Sequence, residues 1–200
     1  MLVGILVGLV LLGLMVAFTV GLPEATGDDE ADPAVVLSLP DTLPGGYAAA
    51  DLATSFEDGE LAEQADAIAQ QQKDSTAYGN EVLPDVLDTA AVTRSYVVNG
   101  TQAVFVQVFD AEGGAFSPSS LTDPEGTDGA GGITMRNVGD GVCILSVGQA
   151  QPGQSAADVP TSSECQVSRD GLTVQLSADE VSAEDLVELA DEILAVVVQS

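Results

Sequence analysis

The pattern of apolar and polar positions changes character twice along this 200-residue chain. Residues 2–21 are apolar almost without interruption, and the next stretch mixes prolines with a run of acidic side chains. Beyond it, short alternating runs and two helical stripes indicate a folded region. The pattern therefore predicts three segments: a membrane helix at 1–21, an acidic Pro-containing linker at 22–40, and one domain at 41–200.

The first segment has the length and composition of a membrane-spanning helix. About 20 apolar residues cross the hydrocarbon core of a bilayer, and Thr19 is the only polar side chain in residues 2–21. A cleaved signal peptide usually has a shorter apolar core, a basic start and a small-x-small cleavage site. We therefore favour an uncleaved signal anchor, held in the lipid bilayer through residues 2–21, with a cleaved peptide as the alternative.

Small residues recur in this helix. Gly4-x-x-x-Gly8 is a close-packing pattern of membrane helix dimers, although glycine is also common in single membrane helices. The pattern makes Gly4 and Gly8 candidate packing residues of a helix-mediated homodimer. The nearest basic residue is Lys73, so the positive-inside rule does not orient the helix. The absence of basic residues after the helix favours an extracytoplasmic C-terminal domain.

Two helices are predicted in the domain. Leu61, Ala65 and Ile68 begin an apolar stripe that predicts a helix over 60–72, with Asp58 as its N-cap and Gly79-Asn80 as its stop. Pro84 indicates a break in the short segment 81–87. The second helix begins after Ser182, whose spacing to Asp185 resembles a capping box, and continues to about Val198. Its apolar stripe contains Leu186, Leu189, Ala190, Ile193, Leu194 and Val197.

The strongest strand signal is a β-hairpin. Residues 91–98 and 101–110 are rich in β-branched and aromatic side chains, and Asn99-Gly100 between them suits a type I′ turn. Both alternating sets of the second arm are largely apolar, which predicts a central strand covered on both faces. Four further strands are predicted at 133–138, 142–148, 164–168 and 172–176, and a long glycine-rich loop at 113–132.

These elements define the fold class. We predict an α+β domain in which an antiparallel sheet of about five or six strands is packed by two helices. Cys143 and Cys165 are the only cysteines, and both fall in predicted strands. In an exported domain such a pair is best interpreted as one disulfide, with two buried thiols as the alternative.

Composition and charge exclude several functions. The chain has 32 acidic and 4 basic side chains, a formal net charge of −28, and no histidine. Nucleic-acid binding is excluded because the positive charge that dominates such affinity is missing. Catalytic triads with histidine and the usual zinc sites are excluded by the missing imidazole.

A search for catalytic and cofactor motifs finds none. Gly139-x-Gly141 leads into a strand and lacks the third glycine of a dinucleotide fingerprint. The acidic stretch from Asp123 to Asp128 fails the EF-hand spacing, so a solvated loop is favoured over a calcium site. We therefore predict no catalytic, cofactor-binding or metal residues, although a carboxylate-only enzyme with two paired acids stays open.

The order of these features resembles a group of uncharacterised actinobacterial single-pass membrane proteins with an acidic extracytoplasmic α+β domain. The resemblance rests on Leu43-Pro44-Gly45-Gly46-Tyr47, on residues 140–147, and on residues 172–176 followed by 182–190. It implies a cell-membrane protein and no activity. The favoured function is a non-catalytic interaction or ligand-binding module with an envelope protein partner. The alternatives are a carboxylate- or metal-dependent hydrolase and a structural or salt-tolerance component of the envelope.

Overall fold

The computed structural model describes residues 36–58, 60–123, 131–148 and 160–199. The fold is α+β, as predicted, with a sheet that is larger than expected. The helices are α1 (Ala65–Leu87) and α2 (Ala183–Val196). The strands are β1 (Leu37–Ser38), β2 (Thr42–Leu43), β3 (Tyr47–Ala49), β4 (Ala91–Val98), β5 (Gln102–Phe109), β6 (Gly132–Val138), β7 (Gly141–Val147), β8 (Pro160–Arg169), β9 (Leu172–Asp179) and β10 (Val198–Gln199).

Eight of these strands form one antiparallel sheet, in the order β2-β3-β4-β5-β9-β8-β7-β6. The six predicted strands are all present. Prediction missed β2 and β3 because two- and three-residue strands leave no periodic signal, and their connection uses Gly45 and Gly46 at positive φ. The predicted β4–β5 hairpin is confirmed: Asn99 and Gly100 both have positive φ, and the Thr101 N–H donates to the Val98 carbonyl at 3.3 Å.

One side of the sheet, called here the core face, holds the main hydrophobic core. The register aligns Val106 of β5 with Leu176 of β9, and Leu176 with Cys165 of β8. All three side chains are buried. The second helix, α2, packs on this face over β8 and β9, and its buried stripe contains Leu186, Leu189, Ala190 and Ile193, as predicted. The Ser182 side chain accepts a hydrogen bond from the Asp185 N–H at 3.1 Å, which confirms the predicted cap.

On the other side, called here the open face, Phe56 packs against Val97, and the segment after β5 covers Thr173 of β9, whose hydroxyl donates to the Ala111 carbonyl at 2.7 Å. The helix on this face is α1. This helix begins and ends later than predicted, since it is preceded by a 3₁₀ turn (Ala62–Gln64) and runs through both Gly79 and Pro84. The N-cap is Gln64, so the predicted cap at Asp58 is wrong. The helix ends where Asp88 adopts a left-handed conformation.

The predicted stop at Gly79-Asn80 is wrong for a physical reason. Gly79 lies where α1 approaches β4: a Cβ there would be 2.6 Å from Thr93 Cγ2. The Asn80 side chain contributes to the same contact, because its Oδ1 accepts a hydrogen bond from the Thr93 N–H at 2.7 Å. Both residues serve the packing of the helix on the strand. Their local preference for a turn is overridden by that tertiary contact.

The prediction that β5 is covered on both faces is also wrong. Its core-face residues Val104, Val106 and Val108 are fully buried, whereas Phe105 on the open face is 42% exposed. Since α1 lies over β4, the neighbouring strands β5, β9 and β8 are left without a helix on that side. The apolar side chains of β5 on the open face are therefore partly exposed to solvent.

The N-terminal predictions have different outcomes. Leu37 and Ser38, assigned to the linker, pair with β10, and the buried Leu39 joins the core, so ordered structure begins before residue 41. The predicted membrane helix, with Gly4 and Gly8, lies outside the described residues and stays a prediction. Among the described residues, neither helix has the length and apolar character required to cross a bilayer.

Candidate functional site

The two cysteines meet in the core. Cys143 and Cys165 are directly paired residues of β7 and β8, with a Cα–Cα distance of 4.1 Å and a sulfur–sulfur distance of 2.10 Å. Both side chains are fully buried on the core face. This geometry is that of a disulfide, as predicted. The bond joins two neighbouring strands beneath α2 and offers no exposed thiol for chemistry.

The most connected polar group in the described domain is Arg94 of β4. Its guanidinium donates to both carboxylate oxygens of Asp51 at 2.8–3.2 Å and to Asp41 Oδ1 at 2.8 Å. It also donates to the carbonyls of Leu39 and Pro40 at 3.1 and 3.0 Å. The Arg94 and Asp51 side chains are only 14% and 15% exposed. Because each of the three guanidinium nitrogens has a partner within the domain, this cluster holds the chain entry on the sheet.

Tyr96 extends the same cluster. Its hydroxyl donates to the Pro40 carbonyl at 2.7 Å, and the Arg94 guanidinium lies 5.9 Å from its ring centroid. Burial raises the pKa of Tyr96 from 10.0 to about 12, against the opposing effect of the nearby Arg94 charge. The folded state therefore favours the neutral phenol.

Alkaline pH is expected to destabilise the fold through Tyr96. Because the pKa of Tyr96 is raised in the folded state, its contribution to the free energy of unfolding is complete below pH 10. That contribution is lost as pH rises from 10 toward about 12. The difference between pKa values of 10.0 and about 12 corresponds to a loss of about 2–3 kcal/mol of unfolding free energy. Urea unfolding of the wild type and Tyr96→Phe at several pH values from 8 to 12 measures this. The variant should show the shallower decline above pH 10, and equal slopes would contradict the assignment.

The open face forms a groove between α1 and the sheet. Ile68 of α1 and Phe105 of β5 both line it, together with Phe56 and Leu61. The cavity volume there is about 320 Å³. Its polar lining residues are Gln72, Ser95, Thr101, Ser177 and Asp179. A concavity that combines apolar side chains with several polar groups can serve as a binding surface.

Helical spacing places two further apolar residues of α1 on the side of Ile68, beyond Gln72, Ser75 and Gly79. Val86 is 18 residues after Ile68, five complete turns, and Val82 lies within 40° of the same line. Val86 is 72% exposed, and Tyr78 on the adjoining ridge is 69% exposed. We call the surface formed by Phe56, Leu61, Ile68, Val82, Val86, Phe105 and Phe109 the α1–β5 groove.

A row of glutamines continues the floor of this groove across the sheet. The register aligns Gln107 of β5 with Gln175 of β9, and Gln175 with Gln166 of β8. All three side chains are partly exposed on the open face. The described residues provide no hydrogen-bond partner for these amides, so their donors and acceptors are available to solvent or to a bound molecule.

A second concavity is acidic. Glu180, Asp185, Glu188 and Glu192 line a cleft of about 370 Å³ beside Tyr47, at the end of the sheet next to α2. Burial, followed by the charge of Asp185, raises the pKa of Tyr47. The three α2 acids lie three and four residues apart, on the polar side of that helix. No group of three or more acidic or cysteine side chains in the described residues is arranged to hold a metal ion.

The sequence did not single out the α1–β5 groove. Of the residues it named, Cys143 and Cys165 come together, whereas Gly4, Gly8 and most of the stretch from Asp123 to Asp128 lie outside the described residues. The relevant signal was in β5, whose two apolar alternating sets were interpreted as a sign that both faces are covered. A strand of that kind needs a second cover, and the nearby helix is too narrow to provide it.

Comparisons of the chain with family models, with curated proteins and with solved structures find no match.

Proposed function

We propose that this chain is a membrane-anchored protein whose extracytoplasmic domain is a non-catalytic interaction module of the cell envelope. The anchor is the apolar segment 2–21, and the resemblance to actinobacterial single-pass proteins agrees with it. A fully buried cysteine pair at disulfide distance supports an oxidising compartment, where such bonds persist. The α1–β5 groove is the interaction surface.

The observation that carries this proposal is the exposed apolar surface of β5 on the open face. Phe105, in a central strand of the eight-stranded sheet, is 42% exposed, and it lines the same cavity as Ile68 of α1. Apolar side chains that adjoin each other at a concave surface lose contact with water when a partner covers them. The charged character of the remaining surface keeps the domain soluble until that happens.

Site-specific crosslinking in living cells tests the proposal. A photoreactive phenylalanine analogue replaces Phe105, and in the control it replaces Val196, which is also 42% exposed but belongs to α2 on the core side. We expect adducts at position 105 whose linked peptide belongs to an envelope protein, and few at position 196. Equal adducts at both positions, or none at 105, would contradict the interaction surface. Recovery of the chain with residues 1–21 attached in a detergent-free soluble fraction would contradict the anchor.

A carboxylate-dependent hydrolase is the second candidate function, and the acidic cleft beside Tyr47 is the feature that favours it. Four carboxylates line that concavity, and general acid–base hydrolysis requires two of them at suitable separation. Screening the protein and a Glu188→Gln variant against glycoside, phosphoester and peptide substrates separates the two candidates. Turnover that the variant lacks would favour the enzyme.

A further inference from the structure

We infer that Asn99, at the tip of the β4–β5 hairpin, is a site of N-glycosylation. Asn99-Gly100-Thr101 has the spacing of the Asn-x-Thr acceptor motif, whose middle residue is any residue except proline. The inference goes beyond the interaction module proposed above. It rests on the extracytoplasmic location proposed for the domain, because this motif is used at surface loops of exported proteins.

The tip of this hairpin extends past both neighbouring strands. Among the described strands, β3 pairs with β4 only as far as Val97, and β9 pairs with β5 only from Val104 onward. Asn99 and Thr101 lie between these limits, and both are exposed. The structure therefore places the motif in the context that its use requires, a turn at the surface of the domain.

The two polar side chains of the motif are not used by the fold. The turn is closed by the backbone, and Asn99 contributes its positive φ of 55°. Within the described residues, the Asn99 amide and the Thr101 hydroxyl have no hydrogen-bond partner. Turn geometry therefore accounts for asparagine and glycine at the tip but leaves the hydroxyl of Thr101 without a structural role.

The other two asparagines of the chain are internal comparisons. Neither Asn80 nor Asn137 is followed two positions later by serine or threonine. The Asn80 side chain is also engaged, since its Oδ1 accepts a hydrogen bond from the Thr93 N–H at 2.7 Å. Asn137 is exposed, as Asn99 is, so it provides a control for exposure without the motif.

The modification is a group transfer to the Asn99 amide. A transferase of the host uses an oligosaccharide linked through its anomeric carbon to a polyprenyl diphosphate. The Asn99 Nδ2 forms a bond to that carbon while the bond from the carbon to the diphosphate oxygen breaks. The polyprenyl diphosphate leaves with the electron pair, and the amide nitrogen gives up one proton. The proposed anchor would hold the domain beside the membrane that carries such donors.

Peptide mass spectrometry of the full-length chain, purified from its native host, tests the inference. We expect carbohydrate on the peptide that contains Asn99 and none on the peptides that contain Asn80 or Asn137. Thr101→Val removes the hydroxyl with little change of shape and should abolish the modification, whereas Thr101→Ser keeps the motif and should retain it. Asn99→Asp suits the same turn but lacks the amide, so it should also be unmodified. Circular dichroism confirms that each variant is folded.

Protease added to intact cells or spheroplasts separates this inference from the proposed function. If the protease digests the domain and Asn99 carries no carbohydrate, glycosylation is overturned and the interaction module still stands. Carbohydrate that persists in Thr101→Val would show that the motif is not its signal and would also overturn the inference. A domain protected from the protease would reject the extracytoplasmic location and both proposals with it. Failure of the crosslinking experiment at Phe105, by contrast, would reject the interaction surface alone.

Discussion

Replacing Arg94 with methionine is expected to lower the free energy of unfolding by about 3–5 kcal/mol. Methionine replaces the apolar stem of the side chain and removes the guanidinium. It leaves the Asp51 carboxylate, only 15% exposed, without its cation, and removes donors from the carbonyls of Leu39 and Pro40. An uncompensated charge at a mostly buried position is among the costliest defects a single substitution produces.

Arg136→Met is the matched control. Arg136 forms one ion pair with Glu184 at 3.0 Å, and the two side chains are 52% and 61% exposed. Solvent screens such a pair, so its loss should cost less than about 1 kcal/mol. Urea unfolding followed by far-UV circular dichroism measures both variants. Equal losses would show that the hydrogen bonds around Arg94 do not determine stability, and would remove the role assigned to this cluster.

Loss of the Cys143–Cys165 bond is expected to lower the free energy of unfolding by about 3 kcal/mol. The two residues are 22 positions apart, so the closed loop restricts the unfolded chain considerably. Cys143→Ala with Cys165→Ala removes the bond and two buried sulfur atoms. Unfolding in urea, with and without reductant, should show that reductant destabilises the wild type and leaves the double variant unchanged.

Two further measurements complete this prediction. The single variant Cys143→Ala loses the same bond, so its stability should be close to that of the double variant. Mass spectrometry without reductant on freshly isolated protein should detect one linked peptide pair. Two free thiols in that sample would contradict both the bond and the oxidising compartment proposed for the domain.

Local sequence signals correctly predicted the elements that are determined by neighbouring residues. The β4–β5 hairpin depends on Asn99 and Gly100, which adopt the positive φ that its turn requires, and the start of α2 depends on the Ser182 cap. The cysteine pair was predictable because two cysteines in strands of one domain have a single possible partner each. The residues that determine the hairpin and the start of α2 lie within a few positions of those elements. Each cysteine has only one other cysteine with which it can pair.

Other features were decided by contacts between distant parts of the chain. Gly79 and Asn80 favour a turn by themselves, yet α1 continues through them because they pack against Thr93 of β4. The ion pair of Arg94 with Asp51 joins residues 43 positions apart, and no spacing rule connects them. The α1–β5 groove arises because α1 covers β4 and leaves β5 bare, which depends on where the helix settles on the sheet.

The sequence by itself determined the fold class, the strands with clear alternation, the cap of α2, the pairing of the cysteines and the strong negative charge. It did so because propensity, periodicity and composition act over short distances or over the whole chain. Only the tertiary structure decided which face of β5 is covered, where Arg94 finds its partners and which apolar residues remain in contact with water. Those outcomes depend on packing between elements, and periodicity within one element carries no information about its neighbour.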